Sequence, residues 1–404
     1  MNSSEIKKIT GGINSVKGFK TAGISCGIKS DGKKDLALIV SEKIAAAAGT
    51  FTANKVKASC VTENQKLVKR GLGQVIIANS GNANTCTGKR GLEDTKEITA
   101  FAARALNIPK ELVLTASTGI IGKPLDVGKI KNGIKNIIEK INSGDSSGAS
   151  HAILTTDTFK KESAVEIKTG EGKIRIGGIA KGAGMIAPNM ATMLAFIATD
   201  AKIRADLLKK TLRDAVEDSF NMITIDGCMS TNDMVLVLAN GMGGCREIKT
   251  KSKELSLFQE GLKLVTKELA EMIVVDGEGA TKLIKVNVSK ARSKEAARTC
   301  AMAIANSNLV KTAFFGEIMN WGRIVAALGS SGIEFSPDKI DIFYDGEKIV
   351  ENGCAAKFNK SRVQKILKKK EITMEVCLNR GKYNATVLTS DLSYEYVKIN
   401  ALYS

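Results

Sequence analysis

Apolar residues recur every three or four positions in several stretches of this chain, and that spacing predicts amphipathic helices. The clearest case is residues 127–141, where valine and isoleucine fill one face of the helix. Similar spacing predicts further helices at residues 91–106, 204–221, 253–274, 293–310 and 359–370.

Short apolar runs between polar or glycine-rich segments predict strands. Such runs occupy residues 74–80, 112–117, 192–201, 234–240 and 282–288. Residues 35–56 are predicted to form two strands joined by a turn, and residues 164–178 a hairpin with a Gly-Glu-Gly turn. Because helices and antiparallel hairpins are both frequent, we expect an α+β fold and not a doubly wound parallel sheet.

The chain of 404 residues is long enough for about two to three domains. A weak boundary near residue 280 predicts a larger domain at 1–280 and a smaller C-terminal region at 281–404. Residues 1–20 lack the apolar centre of a signal peptide, and no apolar run approaches the roughly 18 residues of a membrane helix. We therefore expect a cytoplasmic protein without contact to a membrane.

The scarcity of histidine restricts the chemistry, because His151 is the sole histidine. Cys2His2 zinc fingers and HExxH metalloproteases each need two, so both are excluded. The eight cysteines are scattered without a CxxC pair, which favours reduced thiols over a metal site or a disulfide framework. A Ser-His-Asp triad would have to use His151, so if the chain is an enzyme we expect its general base to be a carboxylate, a lysine or a free α-amine.

The net charge of +18 at pH 7 raises the question of nucleic-acid binding. Most of the basic residues are lysines, whereas arginine leads base and phosphate recognition, and aromatic residues for stacking make up only 4%. We interpret the charge as a lysine-rich surface that also attracts anionic small substrates, and we expect no nucleic-acid partner.

Standard nucleotide-binding and hydrolase motifs are missing from the sequence. Neither residues 88–90 nor residues 122–124 complete a P-loop, and the glycines at 182 and 184 lack the third glycine of a dinucleotide fingerprint. No G-x-S-x-G elbow is present. Phosphate cradling and serine-hydrolase chemistry therefore have no support from motifs.

The segment 179–201 has the arrangement of a self-processing nucleophile. A glycine-rich turn follows Lys181, and the small residue Ala191 precedes Thr192 at the start of an apolar strand. Attack of the Thr192 hydroxyl on the Ala191 carbonyl, followed by hydrolysis of the ester, would leave a threonine with a free α-amine. That amine, with an ordinary pKa near 8, can serve as the base that histidine does not supply. The alternative is that Thr192 is an ordinary β-branched strand residue.

Other polar segments are candidate walls of a site. The turn at residues 115–122 could direct a hydroxyl and a backbone N–H towards an oxyanion, or it could be a plain strand end. Glycines flank Glu278, whose carboxylate could bind a substrate ammonium or lie in a solvated turn. Residues 79–84 and 221–233 are rich in Asn, Asp and Ser, which suits either an active-site wall or Asx turns.

Taken together, these segments resemble the ornithine acetyltransferase (glutamate N-acetyltransferase) family of arginine biosynthesis, along essentially the whole chain. The matching stretches are NSGNANTCTG (79–88), TASTGIIG (115–122), LTTDTF (154–159), KGAGMIAPNMATMLAFIATDA (181–201), ITIDGCMSTND (223–233), DGEGATK (276–282), NWGRI (320–324) and YVKINALYS (396–404).

The resemblance implies cleavage between Ala191 and Thr192 into an α chain of residues 1–191 and a β chain of residues 192–404. Thr192 would carry the acetyl group of N-acetylornithine to glutamate, with acetyl-CoA left open as a second donor and no cofactor. Thr118 and Gly119 match the family's oxyanion-hole positions. The family's substrate-binding positions correspond to Thr155, Lys181, Thr192, Glu278 and Asn400, with Ser404 in the place of a terminal Ser or Thr.

The fold implied by the resemblance is a layered α/β/β/α sandwich, as in N-terminal-nucleophile proteins, with a smaller C-terminal α/β region. The assembly implied is a heterotetramer of two α and two β chains. Two other functions remain open. One is a self-processing amidohydrolase or aminopeptidase with water as acceptor, and the other is an uncut binding protein, for example for RNA.

Overall fold

The structure is a computed structural model that describes residues 5–144, 148–187 and 193–402. Two compact units divide the chain. The first comprises the described residues of Met1–Gly182, Asn189–Asn221 and Met229–Ile273. The second comprises those of Ala183–Pro188, Met222–Cys228 and Val274–Ser404.

The strands are numbered in chain order. They are β1 Ile6–Ile9, β2 Phe19–Ile24, β3 Leu36–Phe51, β4 Leu72–Asn82, β5 Val113–Ile120, β6 Lys161–Thr169, β7 Gly172–Lys181, β8 Leu194–Thr199, β9 Ile223–Thr224, β10 Met234–Ala239, β11 Leu283–Ala291, β12 Asp341–Tyr344, β13 Glu347–Glu351, β14 Cys354–Ala355, β15 Glu371–Cys377 and β16 Tyr383–Ser390.

The α-helices follow the same numbering. They are α1 Ser59–Leu67, α2 Gly88–Leu106, α3 Val127–Asn142, α4 Ala149–Ala152, α5 Ala205–Glu217, α6 Lys253–Val275, α7 Lys294–Ala305, α8 Asn308–Phe315, α9 Trp321–Gly329, α10 Lys360–Leu367 and α11 Tyr394–Leu402. Single 3-10 turns lie at Ile13–Ser15, Val68–Arg70, Lys110–Leu112, Phe220–Met222 and Pro337–Lys339.

The strands of the first unit form a mixed sheet in the order β1-β6-β7-β8-β10-β3-β4-β5, with β2 paired to β3. The pairs β8–β10 and β4–β5 are parallel, whereas β6–β7 and β7–β8 are antiparallel. The long strand β3 belongs to both halves, since it pairs with β10 through Ala46–Phe51 and with β4 through its earlier residues.

The layers of the first unit follow from the alternation of side chains along β4. Val75 and Ile77 face a core shared with α2 and α3, while Ile76 and Ala78 face a second core. That second core also contains Phe196 and other residues from β7, β8 and β10, so it lies between two β layers. On the outer side, α6 packs on β6 and β7 and α5 packs on β3. The predicted α/β/β/α layering is confirmed in this unit.

A single strand takes the place of the predicted strand-turn-strand at residues 35–56, so that prediction was wrong. The polar segment Ser41–Ile44 forms an irregularity in the β3–β4 register and not a reversal of the chain. The Ser41 hydroxyl donates to the Lys43 carbonyl at 2.7 Å, and the Gln74 amide donates to the Ser41 carbonyl at 3.2 Å. These hydrogen bonds satisfy polar groups within a β-bulge. In the sequence, a polar segment between two apolar runs predicts a turn, and this is why the bulge was missed.

The second unit contains a smaller mixed sheet in the order β14-β13-β12-β15-β11-β16-β9. Its apolar face packs against α7, α9 and α10 around buried residues such as Val286, Leu328 and Val376. The helix predicted at 293–310 is two helices, because Ser307 caps a new one by accepting a hydrogen bond from the Val310 N–H. Both units mix helices with sheets, so the predicted α+β class is confirmed. Among the described residues, no helix is long and apolar enough to cross a membrane.

Candidate active site

Thr118 and Gly119 lie at the carboxyl end of β5, where it runs parallel to β4. Thr118 is buried, and Gly119 has a φ of +131°, a conformation that side chains disfavour. A Cβ on Gly119 would lie 2.4 Å from the carbonyl carbon of Gly81, which pairs with it in the sheet. Close packing of the two backbones therefore requires glycine here, and it holds this strand end in one conformation.

Asn232 holds the carboxyl end of β5 through a hydrogen bond to its backbone, a contact that the sequence did not predict. Its amide donates to the carbonyls of Ser117 at 2.7 Å and Ala83 at 2.6 Å, and its oxygen accepts from the Thr85 hydroxyl at 2.7 Å. All these groups are buried, so each bond is made without competition from water. Ser117 directly precedes Thr118, and Asn232 thus positions the predicted oxyanion residues.

Asp233 is the next residue and holds the chain just beyond the predicted cleavage point. Its Oδ1 accepts a hydrogen bond from the Met193 N–H at 3.0 Å, and the Met193 carbonyl accepts from the Met234 N–H at 3.2 Å. Burial raises the pKa of the Asp233 carboxyl well above its ordinary value. Ala191 and Thr192, the predicted cleavage pair, lie outside the described residues, as does Ser404.

Lys181 and Thr155, two of the predicted substrate-binding residues, lie in contact in the first unit. The Lys181 Nζ at the end of β7 donates to the Thr155 hydroxyl at 2.7 Å, and the lysine is only 3% exposed. Lys29, which the sequence did not single out, approaches the same segment and donates from its Nζ to the Leu154 carbonyl at 2.7 Å. The result is a buried region with an excess of positive charge.

Asp157 organises this region and was also missed as a functional residue. Its Oδ1 accepts from the Lys161 Nζ at 2.8 Å and from the Gly182 N–H at 2.6 Å, and its Oδ2 accepts from the Thr155 N–H at 3.0 Å. The Lys181 Nζ lies 3.9 Å from Oδ2.

Burial alone would raise the pKa of the Asp157 carboxyl, but the charges of Lys181 and Lys161 and these hydrogen bonds outweigh it and bring the pKa to about 2. Asp157 therefore stays ionised between the two buried lysines Lys161 and Lys181. Thr155 and Asp157 both lie in the stretch LTTDTF, which was the available signal.

Glu278 and Asn400 are brought together in the second unit. The Asn400 amide on α11 donates to the Glu278 Oε2 at 2.7 Å, and the Glu278 N–H donates to the Ala183 carbonyl at 2.8 Å. A Cβ on Gly184 would lie about 2.4 Å from the Glu278 carboxylate, so only glycine lets the acid occupy this position. The carboxylate keeps acceptor capacity for a cationic group.

Asp226 stabilises the loop that carries Gly184. Its carboxylate accepts from the N–H groups of Met185 at 2.6 Å, Ile186 at 3.0 Å and Cys228 at 3.0 Å. Met185 has a φ of +58°, which is uncommon outside glycine, and these bonds hold it there. The Tyr396 hydroxyl on α11 donates to the same carboxylate at 3.2 Å.

Within the described ranges no cluster of three or more His, Cys, Asp or Glu side chains could hold a metal ion. The eight cysteines are free thiols, three of them buried.

Comparison with known proteins identifies the family. Residues 20–404 match the ArgJ family. The arginine biosynthesis bifunctional protein ArgJ of Caldanaerobacter subterraneus subsp. tengcongensis is 48% identical over 400 residues, covering 98% of this chain and 99% of that protein. The glutamate N-acetyltransferase of Methanocaldococcus jannaschii is 45% identical over 411 residues, covering 99% and 100%.

A crystal structure of ArgJ from Bacillus halodurans aligns with 50% of this chain and 95% of that chain, at 36% identity and a TM-score of 0.49. The resemblance seen in the sequence motifs is confirmed by the family match and by relatives that share nearly half of their residues with this chain over almost its full length. The chain belongs to the ArgJ family.

Proposed function

We propose that this chain is a self-cleaving glutamate N-acetyltransferase of arginine biosynthesis, which moves the acetyl group of N-acetylornithine to glutamate through an acetyl ester on Thr192. The observation that carries the proposal is the family match over residues 20–404, with relatives named for this activity and pathway. The contacts around Thr118, Lys181 and Glu278 support it.

Self-cleavage comes first. The Thr192 Oγ attacks the carbonyl carbon of Ala191, the peptide C–N bond breaks, and the proton from Oγ ends on the threonine nitrogen. Water then opens the ester and leaves an α chain of residues 1–191 and a β chain of residues 192–404. The β chain begins with a threonine that carries both a nucleophile and an α-amine as its base.

Acetyl transfer follows in two half-reactions. The Thr192 Oγ attacks the acetyl carbonyl of N-acetylornithine while the α-amine takes its proton, and the oxyanion is stabilised by the Thr118 hydroxyl and the Gly119 N–H. The amide C–N bond breaks and the ornithine nitrogen leaves with that proton. The amine of glutamate then attacks the ester, loses a proton to the α-amine, and Oγ leaves with it.

Substrate recognition follows from charge. Both amino acids carry an α-carboxylate, which suits Lys181 with the Thr155 hydroxyl beside it. Ornithine also carries a side-chain ammonium, which suits the carboxylate of Glu278 that Asn400 holds in place. We assign Ser404 as a further polar contact to substrate at the end of the chain.

The wider context is part of the same proposal. Acetyl-CoA serves as a second acetyl donor to Thr192, in keeping with the bifunctional name of the relatives, and no cofactor is needed. The two chains stay together and pair as a heterotetramer. The enzyme works in the cytoplasm on small-molecule substrates.

A denaturing gel with intact mass tests the cleavage. The purified protein is expected to give pieces of about 20 and about 23 kDa from the 43.0 kDa chain, the larger beginning at Thr192. The variant Thr192→Ala should remain one chain without activity, whereas Thr192→Ser, which keeps a hydroxyl, should still cut. A mature, active protein that runs as one unbroken chain would contradict the proposal.

An isotope assay tests the transfer. Radiolabelled acetyl from N-acetylornithine should appear in N-acetylglutamate only when glutamate is present. Release of free acetate at the same rate without glutamate would instead indicate an amidohydrolase. Label from acetyl-CoA, supplied without N-acetylornithine, decides whether the second donor is used.

A further inference from the structure

Lys29 lies beside the cationic region of the first unit, and the proposed mechanism gives its charge no role. Its Nζ donates to the Leu154 carbonyl at 2.7 Å and to the Lys34 carbonyl at 2.9 Å. An ammonium group has three N–H donors, so one is left over. Within the part of the chain that the structure describes, no carboxylate forms an ion pair with this ammonium and no acceptor takes its third N–H. That donor is therefore available to a ligand.

A buried carboxylate fixes the loop that carries Lys29. Asp35 is fully buried, and its Oδ1 accepts from the Cys26 N–H at 2.7 Å. Its Oδ2 accepts from the N–H groups of Ile28 at 2.7 Å and Lys29 at 3.0 Å. Both oxygens thus bind the backbone of the loop and not the Lys29 ammonium. The loop is held in place before a ligand arrives, which reduces the entropic cost of binding.

The ammonium groups of Lys29 and Lys181 contact neighbouring oxygens of one segment. Lys29 donates to the carbonyl of Leu154, and Lys181 donates at 2.7 Å to the hydroxyl of the next residue, Thr155. A planar peptide bond joins Leu154 to Thr155, so the two acceptor oxygens are at most about 5 Å apart. A carboxylate has two oxygens and accepts several hydrogen bonds, which suits it to a place between two such donors.

A positive charge at Lys29 is unfavourable in the absence of an anion. Burial is the main effect on the pKa of Lys29 and lowers it, while the charges of Asp35 and Asp31 oppose this effect. The like charge of Lys181 lowers the same pKa further. A glutamine would supply two N–H donors for the two backbone carbonyls without adding a like charge. The carbonyl contacts alone therefore do not account for a lysine here, whereas an anionic ligand does.

We propose that Lys29 is a further substrate-binding residue, whose third N–H donates to the α-carboxylate that Lys181 also binds. This inference rests on the proposed function, in which N-acetylornithine and glutamate occupy the same place in turn. Both carry an α-carboxylate, so Lys29 contributes to both half-reactions. Glu278, by contrast, is assigned to the side-chain ammonium that only ornithine carries.

The variant Lys29→Gln tests the proposal, because its amide keeps two donors for the carbonyls of Leu154 and Lys34 and removes only the charge and the third donor. KM should rise about 10–100-fold for both N-acetylornithine and glutamate, as for a lost hydrogen bond to a charged group, while kcat stays within about threefold. Lys57→Gln is the matched control. Lys57 also donates to a backbone carbonyl, that of Asn54 at 2.7 Å, and its replacement should leave both KM values unchanged.

A pair of ligands separates substrate binding from a structural role. Ornithine and ornithinamide differ in whether the α-carboxyl group carries a charge, and both compete with glutamate for the acetyl-enzyme. In Lys29→Gln the inhibition constant of ornithine should rise about tenfold or more, whereas that of ornithinamide should stay within about threefold. Equal rises for the two ligands would show that the substitution acts on the fold, and they would overturn the inference.

Two other results would also overturn it. One is a Lys29→Gln enzyme with wild-type KM values for both substrates. The other is a Lys29→Gln chain that stays uncut on the denaturing gel, since the residue would then act before any substrate binds. Wild-type protein that neither cuts nor transfers acetyl would instead contradict the proposed function itself.

Discussion

Replacing Asp157 by asparagine is the sharpest test of how the cationic region of the site is held together. The carboxylate lies 2.8 Å from the Lys161 Nζ and 3.9 Å from the Lys181 Nζ, and all three side chains are at most 4% exposed. Asparagine keeps the shape but removes the negative charge. Two buried lysines would then lack their common counter-charge, for which loss of stability by about 3–5 kcal/mol is typical.

The pH dependence of the free energy of unfolding in acid gives a second estimate of how much the Asp157 carboxylate stabilises the fold. Asp157 has a pKa of about 2 in the folded protein. Against an unfolded value near 3.9, the difference is worth about 2.5 kcal/mol. Because the folded pKa is the lower one, this stability is present above about pH 4 and is lost as the pH falls towards 2. The variant should lack this component of acid destabilisation.

Urea unfolding followed by far-ultraviolet circular dichroism, at pH 7 and at pH 3, measures both effects. The difference between wild type and Asp157→Asn should be large at pH 7 and smaller at pH 3. Glu97→Gln is the control, because Glu97 pairs with Lys131 at 2.5 Å on the surface, where such pairs contribute less than about 1 kcal/mol. If Asp157→Asn loses no more stability than this control, the carboxylate does not hold the buried lysines and the reasoning fails. In the acetyl-transfer assay, the same variant should raise KM more than it lowers kcat, since Lys181 loses its alignment.

Three further changes test other parts of the structure. Gly119→Ala would place a Cβ 2.4 Å from Gly81 and force an unfavourable φ, so both the midpoint of thermal unfolding and the rate of acetyl transfer should fall. An unchanged rate of transfer would argue against the need for a fixed backbone at Thr118 and Gly119. Gly184→Ala would displace the Glu278 carboxylate, so KM for N-acetylornithine should rise by about tenfold or more while KM for glutamate changes less. Equal changes in both KM values would argue against binding of the ornithine ammonium by Glu278. Lys311 is buried, and burial lowers its pKa to about 8. Between about pH 8 and pH 10.5 the unfolded chain still binds the proton that the folded protein has lost, so the free energy of unfolding should rise with pH over this range. This rise should be absent in Lys311→Met.

The regular elements of the fold were predictable where periodicity is strong. The helix predicted at 127–141 is Val127–Asn142, and the strand predicted at 234–240 is Met234–Ala239. The errors came where a local polar signal has two structural solutions. The segment Ser41–Ile44 could be a turn or a bulge, and pairing of β3 with neighbours on both sides decides for the bulge.

The candidate site was predictable as a set of motifs but not as a set of contacts. The sequence and its family resemblance named four residues that form two contacts in the fold. Lys181 donates to Thr155, and Asn400 donates to Glu278. Three further polar residues lie within the motifs LTTDTF and ITIDGCMSTND, namely Asp157, Asn232 and Asp233. Their spacing in the sequence does not show which carbonyl or amide group each one binds. Asn232, for example, bonds Ala83 and Ser117, which lie 149 and 115 positions away.

The amino-acid sequence by itself determined the α+β class, the presence of one histidine and the family resemblance, since these depend on composition, local periodicity and residue order. The tertiary structure decided which polar groups are buried, and therefore which are charged and which are held. Asp157 and Asp233 are both buried carboxylates of the first unit, but two lysines lower the pKa of the first, whereas burial outweighs the hydrogen bonds of the second and raises its pKa. That difference arises from distances between residues far apart in the chain, because the strength of a charge interaction is set by separation and solvent exclusion, and these exist only once the chain has folded.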